Sequence, residues 1–112
     1  MEMTNSQLHE LIAESKEDEV GLWLVIAKVR DELGVLDDHA VRESTLSCVR
    51  RLLESNEVEA GYYKPDGTGI AVWELDDKEI ISRIEAGWKM LGREPGIGEV
   101  VVFVSKTKGD IA

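Results

Sequence analysis

The chain has 112 residues and a formal net charge of −10, with 43% hydrophobic and 32% charged residues. A chain of this length forms one domain and buries about two-thirds of the surface that its unfolded form exposes. A single cysteine excludes an internal disulfide framework and is typical of a reducing compartment. No signal-peptide pattern is visible, and no apolar run reaches the roughly 20 residues of a membrane span. We therefore expect one cytoplasmic domain over residues 1–112, without a membrane partner.

Acidic residues concentrate in two segments of the chain. Residues 1–19 hold six acids and one lysine, and residues 57–75 hold four acids and one lysine. Such a charge repels DNA and anionic lipid unless the few cations are gathered on one face. Charge therefore favours a protein partner, and a basic one, over nucleic acid.

Capping signals predict where the first two helices begin. Thr4 and Gln7 form a capping box, which predicts a helix over residues 4–15. A second start follows at the acids of residues 17–19, which suit the positive N-terminal end of a helix. This second helix ends near Leu33 and is apolar almost all round in its middle, so we expect it at the centre of the core.

A third helical stretch begins at Asp37 or Asp38 and ends near Ser55. The sequence leaves open whether it is one helix or two short ones with a turn near Glu43 and Ser44.

The clearest signal in the sequence is a β-hairpin. Apolar residues alternate over residues 57–62 and again over residues 70–75, which is the period of a strand. Between these segments, Pro65 presets one turn dihedral, and Gly67 and Gly69 tolerate positive φ. We therefore predict two antiparallel strands joined by a tight turn.

The C-terminal third predicts one more helix and one more strand. Asp76 and Glu79 form a capping box for a helix that ends at Gly92. The apolar, β-branched run at residues 100–104 predicts a strand, which pairs either with the hairpin or with another chain. The polar residues from Lys106 onward are predicted to fray.

Helices followed by a hairpin resemble a winged-helix domain. From Val49 to Tyr62, a leucine-rich helix end is followed by a short polar turn and a valine that opens a strand. This is similar to that family's passage from recognition helix to wing. The resemblance covers about residues 19–75 and implies an α+β, winged-helix-like fold: a helical core with a β-hairpin wing, extended by a C-terminal helix and strand over residues 76–105. Residues 76–112 also resemble small uncharacterised bacterial proteins of the same layout, which implies no activity.

In DNA-binding members of this family, the third helix enters the major groove and the wing touches phosphates. The resemblance implies contacts from the polar residues at corresponding places, namely Arg42, Ser44, Ser47, Arg50, Arg51 and Lys64. The predicted wing offers one cation, whereas duplex-binding proteins neutralise several phosphates. A DNA-binding transcriptional regulator that acts as a dimer is therefore our alternative hypothesis.

Residues that could carry catalysis are sparse. His39 and Glu43 form an i,i+4 pair but lack a third ligand for a metal ion, and His9 stands alone. Cys48 falls on the apolar side of its helix, which indicates a core residue and not a nucleophile. We expect no enzyme activity, no cofactor and no metal.

Our preferred hypothesis is a non-enzymatic, acidic protein-interaction module on a winged-helix scaffold, such as an immunity or antitoxin-like inhibitor of a basic partner. Acids supply charge complementarity, and tryptophan is frequent at binding hot spots. The predicted partner-binding residues are Glu17, Asp18, Glu19, Glu57, Glu59, Asp66 and Trp73. A third hypothesis is a homodimer paired through residues 100–104, which would serve as a scaffold subunit.

Overall fold

The computed structural model describes residues 3–106. Within them, four α-helices and a four-stranded antiparallel sheet confirm the predicted α+β class. In chain order the elements are α1 (Asn5–Glu17), β1 (Val20–Gly21), α2 (Leu22–Glu32), α3 (Asp38–Glu54), β2 (Val58–Tyr63), β3 (Ile70–Val72), α4 (Asp77–Leu91) and β4 (Val102–Ser105). The sequence predicts fraying from Lys106 onward. Lys106 is held to Glu57 by a backbone hydrogen bond of 3.0 Å, and residues 107–112 lie outside the described residues.

Local signals begin three of the helices where the sequence predicts them. The side chain of Thr4 accepts a hydrogen bond from the backbone N–H of Gln7, and the side chain of Gln7 accepts one from the backbone N–H of Thr4. This is the predicted capping box of α1. The carboxylates of Asp37 and Asp76 accept hydrogen bonds from backbone N–H groups at the starts of α3 and α4. α3 continues unbroken for 17 residues, so the stretch that the sequence left open is one helix.

The predicted start of the second helix is wrong. α1 ends at Glu17 and its C-cap is Asp18, so these acids lie at the end of one helix and do not begin the next. β1 comes after them, and α2 begins at Leu22. The extended conformation prevails because Val20, which is 2% exposed, enters the core opposite Phe103 of β4.

The predicted hairpin is confirmed. β2 pairs antiparallel with β3, with Tyr63 opposite Ile70. Gly67 and Gly69 in the turn have φ values of 77° and 131°, which residues with a β-carbon rarely adopt. β3 ends at Val72 and is therefore shorter than predicted.

β4 lies inside the sheet, whose strand order is β1-β4-β2-β3. It pairs with β1 on one side and with β2 of the hairpin on the other, which settles the partner that the sequence left open. β4 begins at Val102, two residues later than predicted. The delay arises because Val100 has a φ of 69° and the N–H of Val101 bonds the carbonyl of Glu99 in a tight turn.

The sheet has an inner and an outer face. Val20, Phe103 and Ala60 form one row across the strands and belong to the apolar core that α2 and the other helices complete. Side chains alternate along a strand, so the next row points the opposite way. That row contains Gly21, Val102, Gly61 and Val72, and we call its side of the sheet the outer face.

Lys28 of α2 is a buried cation, with 8% of its surface exposed. Its Nζ donates hydrogen bonds to Glu10 at 3.0 Å and to Glu32 at 2.6 Å. Burial alone lowers the pKa of Lys28, but the two carboxylates outweigh burial and raise it above the ordinary lysine value. The pair of bonds ties α1 to α2.

Within residues 3–106, no helix combines the length and the apolar character that crossing a bilayer requires.

Candidate functional site

Two partly exposed aromatic side chains lie on the outer face. Trp23 belongs to the first turn of α2 and is 38% exposed, and Tyr63 ends β2 and is 44% exposed. A β-carbon placed on Gly21 would lie 2.6 Å from the ring of Trp23. Since that β-carbon would point to the outer face, the indole ring lies against Gly21 on this face.

The side chain of Tyr63 crosses the neighbouring strand. Its hydroxyl donates a hydrogen bond of 3.1 Å to Glu19, which immediately precedes β1. β4 lies between β2 and β1, so the phenol ring spans the outer face of β4. Burial raises the pKa of Tyr63, and the bond to Glu19 and the negative charges of Glu19 and Asp18 raise it further.

Val102 of β4 lies on the outer face, on the strand that the Tyr63 side chain crosses. It is 1% exposed, yet it is not part of the main core cluster. Its neighbours in the row, Gly21 and Gly61, have no side chains to cover it. Aromatic side chains commonly cover glycines across strands, and the two rings on this face are placed in that way.

Acids share this side of the sheet with the rings. Glu59 of β2 alternates with the inner residue Ala60, so its side chain is on the outer face, and Glu19 is placed there by its bond to Tyr63. We call the surface formed by Trp23, Tyr63, Val72, Glu19 and Glu59 the acidic aromatic face.

Four of the predicted partner-binding acids lie on or beside this face in addition to Glu19. Glu59 is part of it, and Glu57 precedes β2 with its carboxylate 3.9 Å from Lys16. Lys16 is followed in the chain by Glu17 and Asp18, both exposed, so the two acidic segments of the sequence meet here. Asp66 lies apart, in the hairpin turn, where hydrogen bonds from Thr68 lower its pKa.

Trp73 lies on the other side of the sheet from Trp23 and Tyr63. Its backbone N–H donates a hydrogen bond to the carbonyl of the inner residue Ala60, and its side chain packs against the core. The guanidinium of Arg83 lies 5.2 Å from the ring centroid. Trp23 and Tyr63 were missed by the sequence reasoning, although Tyr63 falls on the same alternation as Glu59.

The residues predicted to contact DNA do not share one side of α3. Arg51 bonds the backbone carbonyl of Met3, and its Nη2 donates to Asn5 at 2.8 Å, so it faces the start of α1. Arg42 lies nine residues earlier in the same helix, which places it on the opposite side. Arg50 is exposed to solvent.

The remaining candidates for DNA contact are on different elements. Lys64 is exposed at the start of the hairpin turn, whereas Ser44 and Ser47 are partly buried on α3. None of them joins Arg42, Arg50 and Arg51 into one cationic strip.

Arg42 lines a cleft of about 540 Å³ between the end of α2, the start of α3 and the end of α4. Four of the thirteen lysines and arginines of the chain line it, namely Arg30, Arg42, Lys89 and Arg93. Asp38 and Glu94 also line the cleft, and Nη2 of Arg30 donates to both, at 3.0 and 2.6 Å. These bonds raise the pKa of Arg30.

The loop after α4 is fixed by a second ion pair. Arg93 donates two hydrogen bonds to Glu99, of 2.7 and 2.6 Å, and the N–H of Gly96 donates a third to the same carboxylate. Together they lower the pKa of Glu99 to about 2.

Across residues 3–106, no three His, Cys, Asp or Glu side chains come together to hold a metal ion. His39 lies 4.0 Å from Glu43, and Cys48 is buried.

Comparison with protein-family models gave no match, and comparisons with curated proteins and with solved structures gave no significant match.

Proposed function

We propose that the chain is a non-enzymatic protein-interaction module that binds a basic partner protein through its acidic aromatic face, as an immunity or antitoxin-like inhibitor would. The observation that carries the proposal is the pair of partly exposed rings, Trp23 and Tyr63, bordered by carboxylates. Tryptophan and tyrosine dominate binding energy at protein interfaces, because their rings give large contact areas at low entropic cost.

Charge complementarity favours a basic partner. Glu19 and Glu59 lie on the face, and the adjoining residues at 17, 18 and 57 are also acids, with Lys16 close to Glu57. Such a surface attracts a cationic protein over long distances and raises its association rate, and it repels phosphates. Once the partner arrives, the rings supply apolar contact that charge alone cannot.

The scaffold that we propose is winged-helix. The order of α1, β1, α2 and α3 before the hairpin β2–β3 supports it, with α4 and β4 as additions at the C-terminal end. Inhibition would be steric, because a partner seated on the sheet face has its own functional surface covered.

A dimeric DNA-binding regulator is the second candidate, and the same order of helices and hairpin favours it. The placement of its candidate residues weighs against it. Arg51 is engaged with the start of α1, and Arg42 lies on the other side of α3.

Site-specific photo-crosslinking in the cells that make the protein tests the proposal. A photoreactive residue replaces Val72, which is 41% exposed on the acidic aromatic face, or Met90, which is 89% exposed on α4 and is the control. We expect a basic protein to be captured from position 72 and not from position 90.

Two outcomes would count against the proposal. Equal capture from both positions would show that the face has no preference for a partner. A salt-sensitive gel shift with the DNA upstream of the gene, lost in Arg50→Ala and Arg51→Ala, would favour the regulator instead.

A further inference from the structure

Two of the four cations that line the cleft between α3 and α4 are bonded to no acid, although Asp38 and Glu94 also line it. Arg30 and Arg93 are bonded to carboxylates. Arg42 and Lys89, in contrast, have no hydrogen bond or ion pair to an acid among residues 3–106. In a chain with a net charge of −10, this cleft nevertheless gathers four cations and two acids.

Arg42 is partly buried, which weakens its hydration, and no bonded acid compensates for this loss. Lys89 belongs to a different helix and lines the same cleft. An anion in the cleft would give both side chains a counter-charge, and the planar guanidinium of Arg42 suits the paired oxygens of a phosphate.

The cleft is larger than a phosphate ion needs. Its volume of about 540 Å³ falls in the range of pockets for small organic ligands. Trp88, which is 7% exposed, and Gly92 contribute uncharged surface to its wall. The ligand that fits therefore has an anionic group and an organic body.

We propose that this cleft binds a small organic phosphate. Arg42 and Lys89 bind its phosphate group, and Trp88 lies beside its organic body. Arg30 and Arg93 line the same cleft. Glu94 holds Arg30 in place, and Glu99 holds Arg93. The proposal is independent of protein binding at the acidic aromatic face, because the two surfaces use different residues.

Titration of the ¹⁵N-labelled protein with phenyl phosphate or with inorganic phosphate, followed by NMR, tests the site. We expect saturable shifts of the Trp88 indole N–H and of the backbone signals of Arg42 and Lys89. Phenyl phosphate should bind more tightly than inorganic phosphate, because its ring uses the remaining volume of the cleft.

Variants assign the binding to the two cations. Lys89→Gln and Arg42→Gln should each weaken phenyl phosphate binding by about tenfold or more, since each removes a charge-assisted hydrogen bond. Arg50→Gln, an exposed position on the same helix, should leave it unchanged. Lys89 is exposed, so its variant retains the fold and decides the result even if Arg42→Gln does not fold.

Three results would overturn the proposal. One is the absence of saturation up to about 10 mM phenyl phosphate, because such an affinity is weaker than that of a specific binding site. Another is equal weakening by Arg50→Gln, which would indicate general attraction to surface charge. The third is equal affinity for the two ligands, which would contradict a place for the organic body.

Discussion

Replacing Arg51 with alanine should lower the thermal stability of the chain, because Arg51 holds the start of α1 against α3. Its guanidinium bonds the carbonyl of Met3 and the side chain of Asn5, which lie almost 50 positions earlier in the sequence. Met3 is itself 3% exposed and part of the core. The variant therefore loses two hydrogen bonds and loosens a buried side chain.

The magnitude follows from the partial exposure of Arg51. A hydrogen bond from a charged donor contributes about 1.5–3 kcal/mol when well buried, so two half-exposed bonds should contribute about 1–3 kcal/mol together. The entropy of unfolding is about 2.1 cal/mol/K per residue, which for 112 residues gives about 0.24 kcal/mol/K. The expected fall in Tm is then about 4–13 °C.

Thermal unfolding followed by circular dichroism measures this effect, with Arg50→Ala as the matched control. Arg50 is the adjacent residue of α3 and is exposed, so its removal should change Tm by no more than about 2 °C. Amides of α1 should also exchange faster in Arg51→Ala than in Arg50→Ala. Equal Tm values for the two variants would refute the structural role of Arg51.

Three further predictions concern the hairpin, the loop after α4 and the buried lysine. Gly61→Ala should destabilise the protein by about 1–3 kcal/mol in urea unfolding, because the new β-carbon would lie 2.5 Å from the carbonyl oxygen of Ala71; an unchanged midpoint would contradict the close approach. Glu99 has a pKa lowered from 4.5 to about 2, so its contribution to stability is complete above pH 4.5 and is lost as the pH falls towards 2. The difference in Tm between the wild type and Glu99→Gln should accordingly shrink over that range, and a constant difference would exclude the ion pair with Arg93 as its cause. Lys28→Ala should cost about 2–5 kcal/mol and Lys28→Met less, because methionine keeps the buried stem; chemical unfolding would show equal costs for the two variants if the charge alone mattered.

Much of the fold is predictable because its signals are local. The capping box at Thr4 and Gln7 and the alternation of residues 57–62 each involve neighbours in the chain. β1 was missed because Val20 and Gly21 have no local strand pattern. Their conformation depends on pairing with β4, which lies about 80 positions later, and only the three-dimensional structure supplies that contact.

The sequence predicted the negative charge of the candidate site, but it did not predict that Trp23 and Tyr63 belong to it. The sequence alone locates the acids at residues 17–19 and at residues 57 and 59. Trp23 and Tyr63 come to share one face only through the strand order, which places β4 between β1 and β2. Trp73 was predicted to be a contact residue, but its backbone N–H donates to the carbonyl of Ala60 and its side chain packs against the core.

The cations of α3 illustrate a signal that the sequence does contain. Arg42 and Arg51 are nine positions apart, so helical geometry alone separates them by half a turn. The partner of Arg51 on α1 could not be predicted, because it depends on how two helices pack.

The most direct test of binding through the acidic aromatic face is the dissociation constant of the partner captured from position 72. We expect Trp23→Ala to raise Kd by about 30-fold or more, as loss of a hot-spot tryptophan does, and Met90→Ala to leave it unchanged. A rise of less than about threefold in a folded Trp23→Ala variant, or an equal rise in Met90→Ala, would contradict the account.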